Sequence, residues 1–226
     1  MENGKLYIVA TPIGNMADIT IRALDTLKSV DLIISEDTRE TSKLLNHYQI
    51  EKSQISYRDQ NHNRVYSTIL ETLQSGKSIA LVSDSGTPLI SDPGYKLVNE
   101  LIKEGIKIDA IPGPSAVIGS LVVSGLPTDK FTFIGFMPKK PGQQDKMLQE
   151  YGALDSTLII YESPYRVVKL LEQIKTSLGN RKICVVKDLT KMYENLIYGE
   201  INDILERSKD IKEKGEYIVL VAKKDF

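Results

Sequence analysis

Apolar residues in this chain come in short runs, separated by longer stretches where they recur at every third or fourth position. Residues 5–10, 31–35, 78–83 and 106–111 are runs rich in Ile, Val and Leu. Short runs of that composition predict buried strands. Residues 20–30, 38–48, 63–74 and 94–104 carry the three- and four-residue spacing of amphipathic helices. Thr20 is placed to cap the first of these; Asn63, and Asp92 or Pro93, are placed to open the later two. Strands alternating with helices predict an α/β fold whose mainly parallel sheet is covered on both faces.

The pattern pauses at Ser124-Gly125-Leu126-Pro127-Thr128-Asp129, where Gly, Pro and Asp together are turn chemistry. A second set follows. It has strands at 131–136, 157–161, 182–187, 195–198 and 216–222, and helices at 143–151, 164–177 and 202–211. The strand at 195–198 comes so soon after its predecessor that some antiparallel pairing is expected. The pattern therefore predicts two α/β domains, residues 1–127 and residues 128–226. No internal repeat or low-complexity segment is present.

Composition narrows the class. Of 226 residues, 41% are hydrophobic and 26% charged, which fits a folded globular chain. No apolar run reaches the length of a membrane span, and the first residues lack the pattern of a secretion signal. A cytoplasmic protein without membrane contact is the expectation. The single cysteine, Cys184, lies in the run Ile183-Cys184-Val185-Val186 and reads as a core thiol. His47 and His62 have no ligand-like spacing, so no metal is expected. The net charge of −1 excludes a protein that coats long stretches of nucleic acid. Any RNA contact must come from a local basic patch.

Three loops carry candidate chemistry. Thr11-Pro12-Ile13-Gly14-Asn15 follows the first strand. Residues 83–94 follow the strand at 78–83 and form a long connection holding two Gly, two Pro and two Asp. Asp84 stands at its start, where a carboxylate meets a cationic or hydroxyl-bearing ligand group. Ile111-Pro112-Gly113-Pro114-Ser115-Ala116 precedes another helix, with Ser115 and the helix amides as donors. All three follow strands of one parallel sheet, so they share the edge where open α/β sheets bind ligands. Neither a dinucleotide fingerprint nor a nucleoside-triphosphate loop is present, and no Ser-His-Asp spacing is visible. The residues alone point to an α/β enzyme with a small-molecule pocket at its strand ends.

These loops, with Ser35-Glu36-Asp37-Thr38-Arg39, Gly135-Phe136-Met137-Pro138-Lys139-Lys140, Tyr161-Glu162-Ser163-Pro164 and Asp188-Leu189-Thr190-Lys191, occur in an order that resembles the ribosomal RNA small-subunit methyltransferase I family of tetrapyrrole methylases. The resemblance covers nearly the whole chain. It implies two α/β domains of the tetrapyrrole-methylase type, a homodimer, and S-adenosylmethionine in the interdomain cleft. It also implies methyl transfer to the 2′-oxygen of a cytidine in the decoding region of small-subunit ribosomal RNA.

By the same resemblance, Pro12, Asp84, Gly86, Thr87, Pro88, Ser115 and Ala116 border the cofactor, and Ile160, Tyr161 and Leu189 close over it. The loop ending at Asn15 and the Glu36–Arg39 segment face the acceptor. Departures from the family pattern are Ser85 in place of Ala, Tyr165 in place of His, and Asp59 and Gln60 in place of Glu and His, with Asn61 kept. Many relatives also continue into a small C-terminal domain, whereas this sequence stops at Phe226.

A ribose hydroxyl needs a base, or a cation that lowers its pKa. Candidates are Glu36, Asp37, Lys187, Asp59 and Glu162. Arg39, Arg58, Lys139, Lys140 and Arg166 are placed to hold phosphates. A plainer role competes at one point, because Asp37 or Thr38 is also suited to cap the following helix. Two other functions compete: a small-molecule methylase acting on a porphyrin-like ring, and a non-catalytic RNA-binding or ribosome-assembly module.

Overall fold

A computed structural model describes residues 3–226. By contacts the chain divides into two units, one ending at Ser115 and one beginning at Ala116. This division falls before the turn near residue 127, because the helix at Ala116–Val123 packs on the second sheet.

The first unit holds β1 (Lys5–Val9), α1 (Ile21–Ser29), β2 (Leu32–Ser35), α2 (Thr38–His47), β3 (Gln54–Ser56), α3 (His62–Gln74), β4 (Ile79–Val82), α4 (Tyr95–Lys103) and β5 (Lys107–Ile111). The sheet order is β3-β2-β4-β1-β5 and every pairing is parallel. Alternation along each strand feeds two cores. Ile79 and Leu81 of β4 pack with Ile69 and Leu73 of α3 and with Leu97 and Leu101 of α4. Ala80 and Val82 pack with Ala23 and Leu27 of α1 and Leu44 and Leu45 of α2. The sheet is thus buried on both faces, which is why β4 is apolar at all four positions.

Helix starts follow local chemistry only in part. Thr20 caps α1 as expected, its hydroxyl accepting from the Ala23 amide at 3.0 Å. Asp37 caps α2 through the Arg39 amide at 2.9 Å. The other two expected openings differ. Asn61 rather than Asn63 precedes α3, and Gly94, at φ 127°, precedes α4 with no side-chain cap. At Gly94 a Cβ would also meet Leu81 at 3.0 Å, so glycine serves both geometry and packing there.

The second unit holds α5 (Ala116–Val123), β6 (Phe131–Phe136), α6 (Pro141–Gly152), β7 (Thr157–Glu162), α7 (Val167–Leu178), β8 (Lys182–Lys187), β9 (Asn195–Glu200), α8 (Ile201–Glu206) and β10 (Tyr217–Val221). Its sheet order is β6-β7-β10-β8-β9. Strands β6 and β7 are parallel, while β10 runs antiparallel to both β7 and β8, and β9 antiparallel to β8. The sheet is mixed, as the closely spaced strands suggested. Helices α6, α7 and α8 cover one face and α5 packs on the other. The helix expected over 202–211 is shorter: α8 ends at Glu206 and a single 3-10 turn follows at Ser208–Asp210. Cys184 is fully buried in this sheet and burial pushes its thiol up to about 12, so it is an inert core group.

Candidate active site

In the first unit, the chain leaves β1 towards β2 with α1 on one face, and leaves β4 towards β5 with α4 on the other. Strands β1 and β4 are neighbours. Their outgoing loops therefore part to opposite faces, and that divergence opens the crevice where parallel α/β sheets take ligands.

Backbone pairing bridges this crevice. The Thr11 amide donates to the Gly86 carbonyl at 2.9 Å, and the Gly86 amide returns a bond to the Thr11 carbonyl at 3.1 Å. Gly86 adopts φ 79°, and a Cβ there would meet Ile13 Cγ2 at 3.1 Å. The Thr87 hydroxyl donates to the Pro114 carbonyl at 3.0 Å, which ties in the loop after β5. The Asp37 amide donates to Asp84 Oδ1 at 3.0 Å, which ties in the loop after β2. Ser56 Oγ and Arg58 Nε both donate to the Glu36 carbonyl, at 3.0 and 3.2 Å. Loops after all five strands are thus hydrogen-bonded into one rim. Such a rim is fixed before any ligand arrives.

The rim is acidic at its centre. Burial, then the neighbouring Asp84, raises the Glu36 carboxyl above its ordinary value. Asp92 is pushed up to about 6, mainly by burial, with Glu36 and Asp84 adding to the effect and a hydrogen bond from Ser83 opposing it. Asp92 was visible in the sequence only as a helix opener; its burial depends on how residues 83–94 fold back. Asp37 behaves oppositely. Its Arg39 partner holds the carboxyl well below the usual carboxylate range.

Asp92 carries a stability consequence. A raised carboxyl means that the folded chain binds this proton more tightly than the unfolded chain does. Stability from this group is then fullest below about pH 4 and falls as pH rises through about 6. Solvent screens part of the effect at a half-buried group. Asp92→Asn is therefore expected to stabilise the protein by roughly 2 kcal/mol at pH 7.5 and by no more than about 0.5 kcal/mol at pH 4. Urea denaturation at both pH values checks this; equal differences at the two would contradict it.

Other expected residues of this unit separate by role. Asn61 bonds the chain's own backbone at both ends of its amide, accepting from Arg58 N at 2.9 Å and donating to Ser56 O at 3.0 Å. It shapes a loop rather than facing a substrate. Asn15 caps a 3-10 turn through the Ala17 amide at 3.1 Å and is otherwise exposed. Arg39 pairs with Asp37, yet its side chain is 85% exposed and open to an anion. Asp59 braces Gly94 N at 3.4 Å. Pro12 and Thr87 are half-buried, Pro88 is buried, and Asp84 is exposed. His62 is structural, with Tyr57 and Glu100 on its two ring nitrogens at 3.0 and 2.8 Å. Among the described residues no cluster is suited to hold a metal.

In the second unit, β6, β7 and β8 run in one direction, so their carboxyl ends share an edge with the start of β10. The edge carries Lys139, Lys140, Tyr161, Arg166, Lys187 and Leu189. The Lys187 ammonium lies 2.9 Å from Asp188, which raises its pKa and keeps it a cation. Asp188 is pushed up by burial, but the Lys187 contact and the Glu216 amide outweigh this and hold its carboxyl low. The close fit shows at Gly215, where a Cβ would meet the Asp188 carboxylate at 2.6 Å.

Three expectations for this unit change. Ile160 is fully buried in the core beneath α6 and α7, so its side chain faces no pocket. Tyr161, one residue on, lies on the other face with Phe133, Phe136 and Leu189. The Glu162 side chain is fully buried and paired with Arg166 at 2.5 Å, so it is no solvent-facing base. The same pair occupies Arg166, whose Nη2 also donates to the Met137 carbonyl. Ala116 packs at the start of α5 against the second sheet, and Ser115 is half-buried.

The family profile for tetrapyrrole (corrin/porphyrin) methylases matches residues 5–205. A Halalkalibacterium halodurans protein named ribosomal RNA small subunit methyltransferase I is 44% identical over 97% of this chain and 76% of its own length. A Thermotoga maritima protein of the same name is 41% identical over 98% of this chain and 100% of its own length. Among solved structures, a diphthine synthase superposes with a TM-score of 0.76 at 13% identity, covering 97% of this chain and 90% of that one. A Thermus thermophilus uroporphyrin-III C-methyltransferase complexed with S-adenyl homocysteine gives 0.66 at 14% identity, covering 97% of each chain. These structures share the fold. The sequence matches carry more: the chain is a methyltransferase that belongs to the tetrapyrrole methylases and, within them, to the ribosomal RNA small subunit methyltransferase I family.

Proposed function

We propose that the chain transfers a methyl group from S-adenosylmethionine to the 2′-oxygen of a cytidine in the decoding region of small-subunit ribosomal RNA. The observation that carries this reading is identity of 41–44%, over 97–98% of the chain, to relatives named for small-subunit ribosomal RNA methylation. The cross-braced rim of the first unit supports it, since methyl transfer needs alignment above all.

The rim residues fit the donor. Gly86, paired with Thr11 through both its backbone groups, fixes the rim's shape; Thr87 and Asp84 offer polar contacts, and Ile13 and Pro88 supply apolar surface. Pro12, Asp84, Gly86, Thr87, Pro88 and Ser115 would hold it. When bound, the donor supplies an electrophilic methyl on a sulfonium. The exposed Asp84 carboxylate binds and takes no part in proton transfer. Glu36, with its raised proton affinity, accepts the hydroxyl proton. Lys187, kept cationic by Asp188, is a second proposed catalytic group. Asp37 is a poor base, because the cap and Arg39 stabilise its ionised form.

Arg39, Arg58, Lys139 and Lys140 are the proposed phosphate contacts. The active form is proposed to be a homodimer. No helix among the described residues is long and apolar enough to cross a membrane. Asp84→Ala is expected to weaken S-adenosylmethionine binding at least tenfold by calorimetry, since a charge-assisted bond contributes about 1.5–3 kcal/mol. Unchanged affinity would remove Asp84 from the donor's contacts.

A further inference from the structure

The second unit's edge carries aromatic side chains that its own fold does not use. Tyr165, in the turn between β7 and α7, is 71% exposed, and Tyr193, between β8 and β9, is 73% exposed. Neither makes a hydrogen bond or ring contact among the described residues. Phe136, at the end of β6, is 56% exposed and stands edge-on to Tyr161 with ring centroids 5.5 Å apart. Large exposed rings gathered on one edge call for a ligand with flat apolar faces.

The charges around them say which ligand. Three acids on this edge are matched by cations: Glu162 by Arg166, Asp188 by Lys187 and Glu216 by Lys191. Glu194, beside Tyr193, instead accepts from the Thr190 amide at 2.6 Å. Lys139 and Lys140 are exposed and have no ion-pair partner among the described residues. Aromatic planes beside unpaired lysines are the surface that unpaired nucleotides bind, through base stacking and phosphate contact. The net charge of −1 strengthens the point, because phosphate attraction alone cannot hold RNA to such a chain.

We infer that Tyr165 and Tyr193 form a stacking platform for single-stranded RNA. This rests on the proposed function. Strands β7 and β8 are separated by β10, so their ends lie two strand spacings apart, about 10 Å. That is close to three nucleotide rises of about 3.4 Å, so one short unpaired strand can reach both turns. The platform also explains selection for an unpaired target, since a base in a duplex presents no free face.

The test is equilibrium binding of a fluorescein-labelled single-stranded oligoribonucleotide containing one central cytidine, at several salt concentrations, with the same strand annealed to its complement as a second probe. Tyr165→Ala and Tyr193→Ala are each expected to weaken single-strand binding about tenfold, with the salt slope unchanged. Tyr165→Phe and Tyr193→Phe restore binding, and the duplex probe binds weakly to every variant. Lys139→Ala instead lowers the salt slope. Wild-type affinity in both alanine variants overturns the platform. So does alanine-induced loss of self-association in sedimentation with RNA binding intact, which would assign the rings to a second copy of the chain. Methylation of small ribosomal subunits by the same alanine variants keeps the two claims apart. Activity with an unchanged KM sinks the platform alone, whereas a wild-type protein that never labels RNA sinks the function beneath it.

Discussion

Arg166→Ala is expected to destabilise the protein by about 3–5 kcal/mol, the largest effect of any single substitution considered. Glu162 is the reason. Its side chain has no solvent exposure, and Oε1 is held by Ser163 N at 2.7 Å and by Arg166. Oε2 and Arg166 Nη1 are buried without partners, so the pair is held by few bonds. Removing the guanidinium leaves a carboxylate in the core with nothing to balance it. The midpoint of thermal unfolding should fall by roughly 10 °C at neutral pH, given about 2–4 °C per kcal/mol for a chain of this size.

Joint replacement by Glu162→Gln and Arg166→Met should recover most of the stability, because buried ion pairs contribute little beyond well-packed neutral groups. A change below about 1 kcal/mol in the single variant, outside the range for a stranded buried charge, would contradict this account of the pair.

Glu36→Gln is expected to lower turnover about a hundred- to ten-thousandfold, the range for losing a positioned general base. S-adenosylmethionine affinity should stay within about twofold. The substitution keeps size and polarity, and the rim is held through Glu36's backbone carbonyl rather than its carboxylate. The pH profile separates catalysis from structure. Because Glu36 ionises above its ordinary value, wild-type turnover should rise with pH through that ionisation. The glutamine variant should lose that limb. Asp37→Asn, by contrast, should act mainly on the stability of α2's first turn. Near-normal turnover in Glu36→Gln, with the acidic limb intact, would move the base elsewhere.

The sequence disclosed most of the first unit because its strands are buried on both faces and so read as unbroken apolar runs. Residues 54–56 give no strand signal for the opposite reason: Gln54-Ile55-Ser56 is a three-residue edge strand with a single apolar position. In the second unit the antiparallel element was anticipated from the spacing of β8 and β9. The insertion of β10 between β7 and β8 was not, since order across a sheet depends on pairings between distant segments. The charged stretch after Glu206 has no apolar face to extend α8, which shortened the expected helix.

The candidate site divides in the same way. Loop positions at strand ends were legible, because a parallel sheet puts them on one edge. What each side chain does there was not. Asp37, Asn61, Glu162 and Arg166 carry site-like chemistry, yet the structure employs them as cap, brace and core ion pair. Ile160 and Tyr161 are adjacent in sequence and point to opposite faces, a consequence of strand periodicity that decides which can touch a ligand. Asp92 is half-buried only because residues 83–94 fold back, which no local sequence pattern signals.

Incubating the purified protein with methyl-labelled S-adenosylmethionine and small ribosomal subunits from cells lacking this enzyme, then digesting the RNA to nucleosides, is the most direct trial. Label should appear in 2′-O-methylcytidine alone, at one site per subunit. Label on a base, on a porphyrin-like acceptor supplied in parallel, or on nothing would refute ribose methylation by this chain.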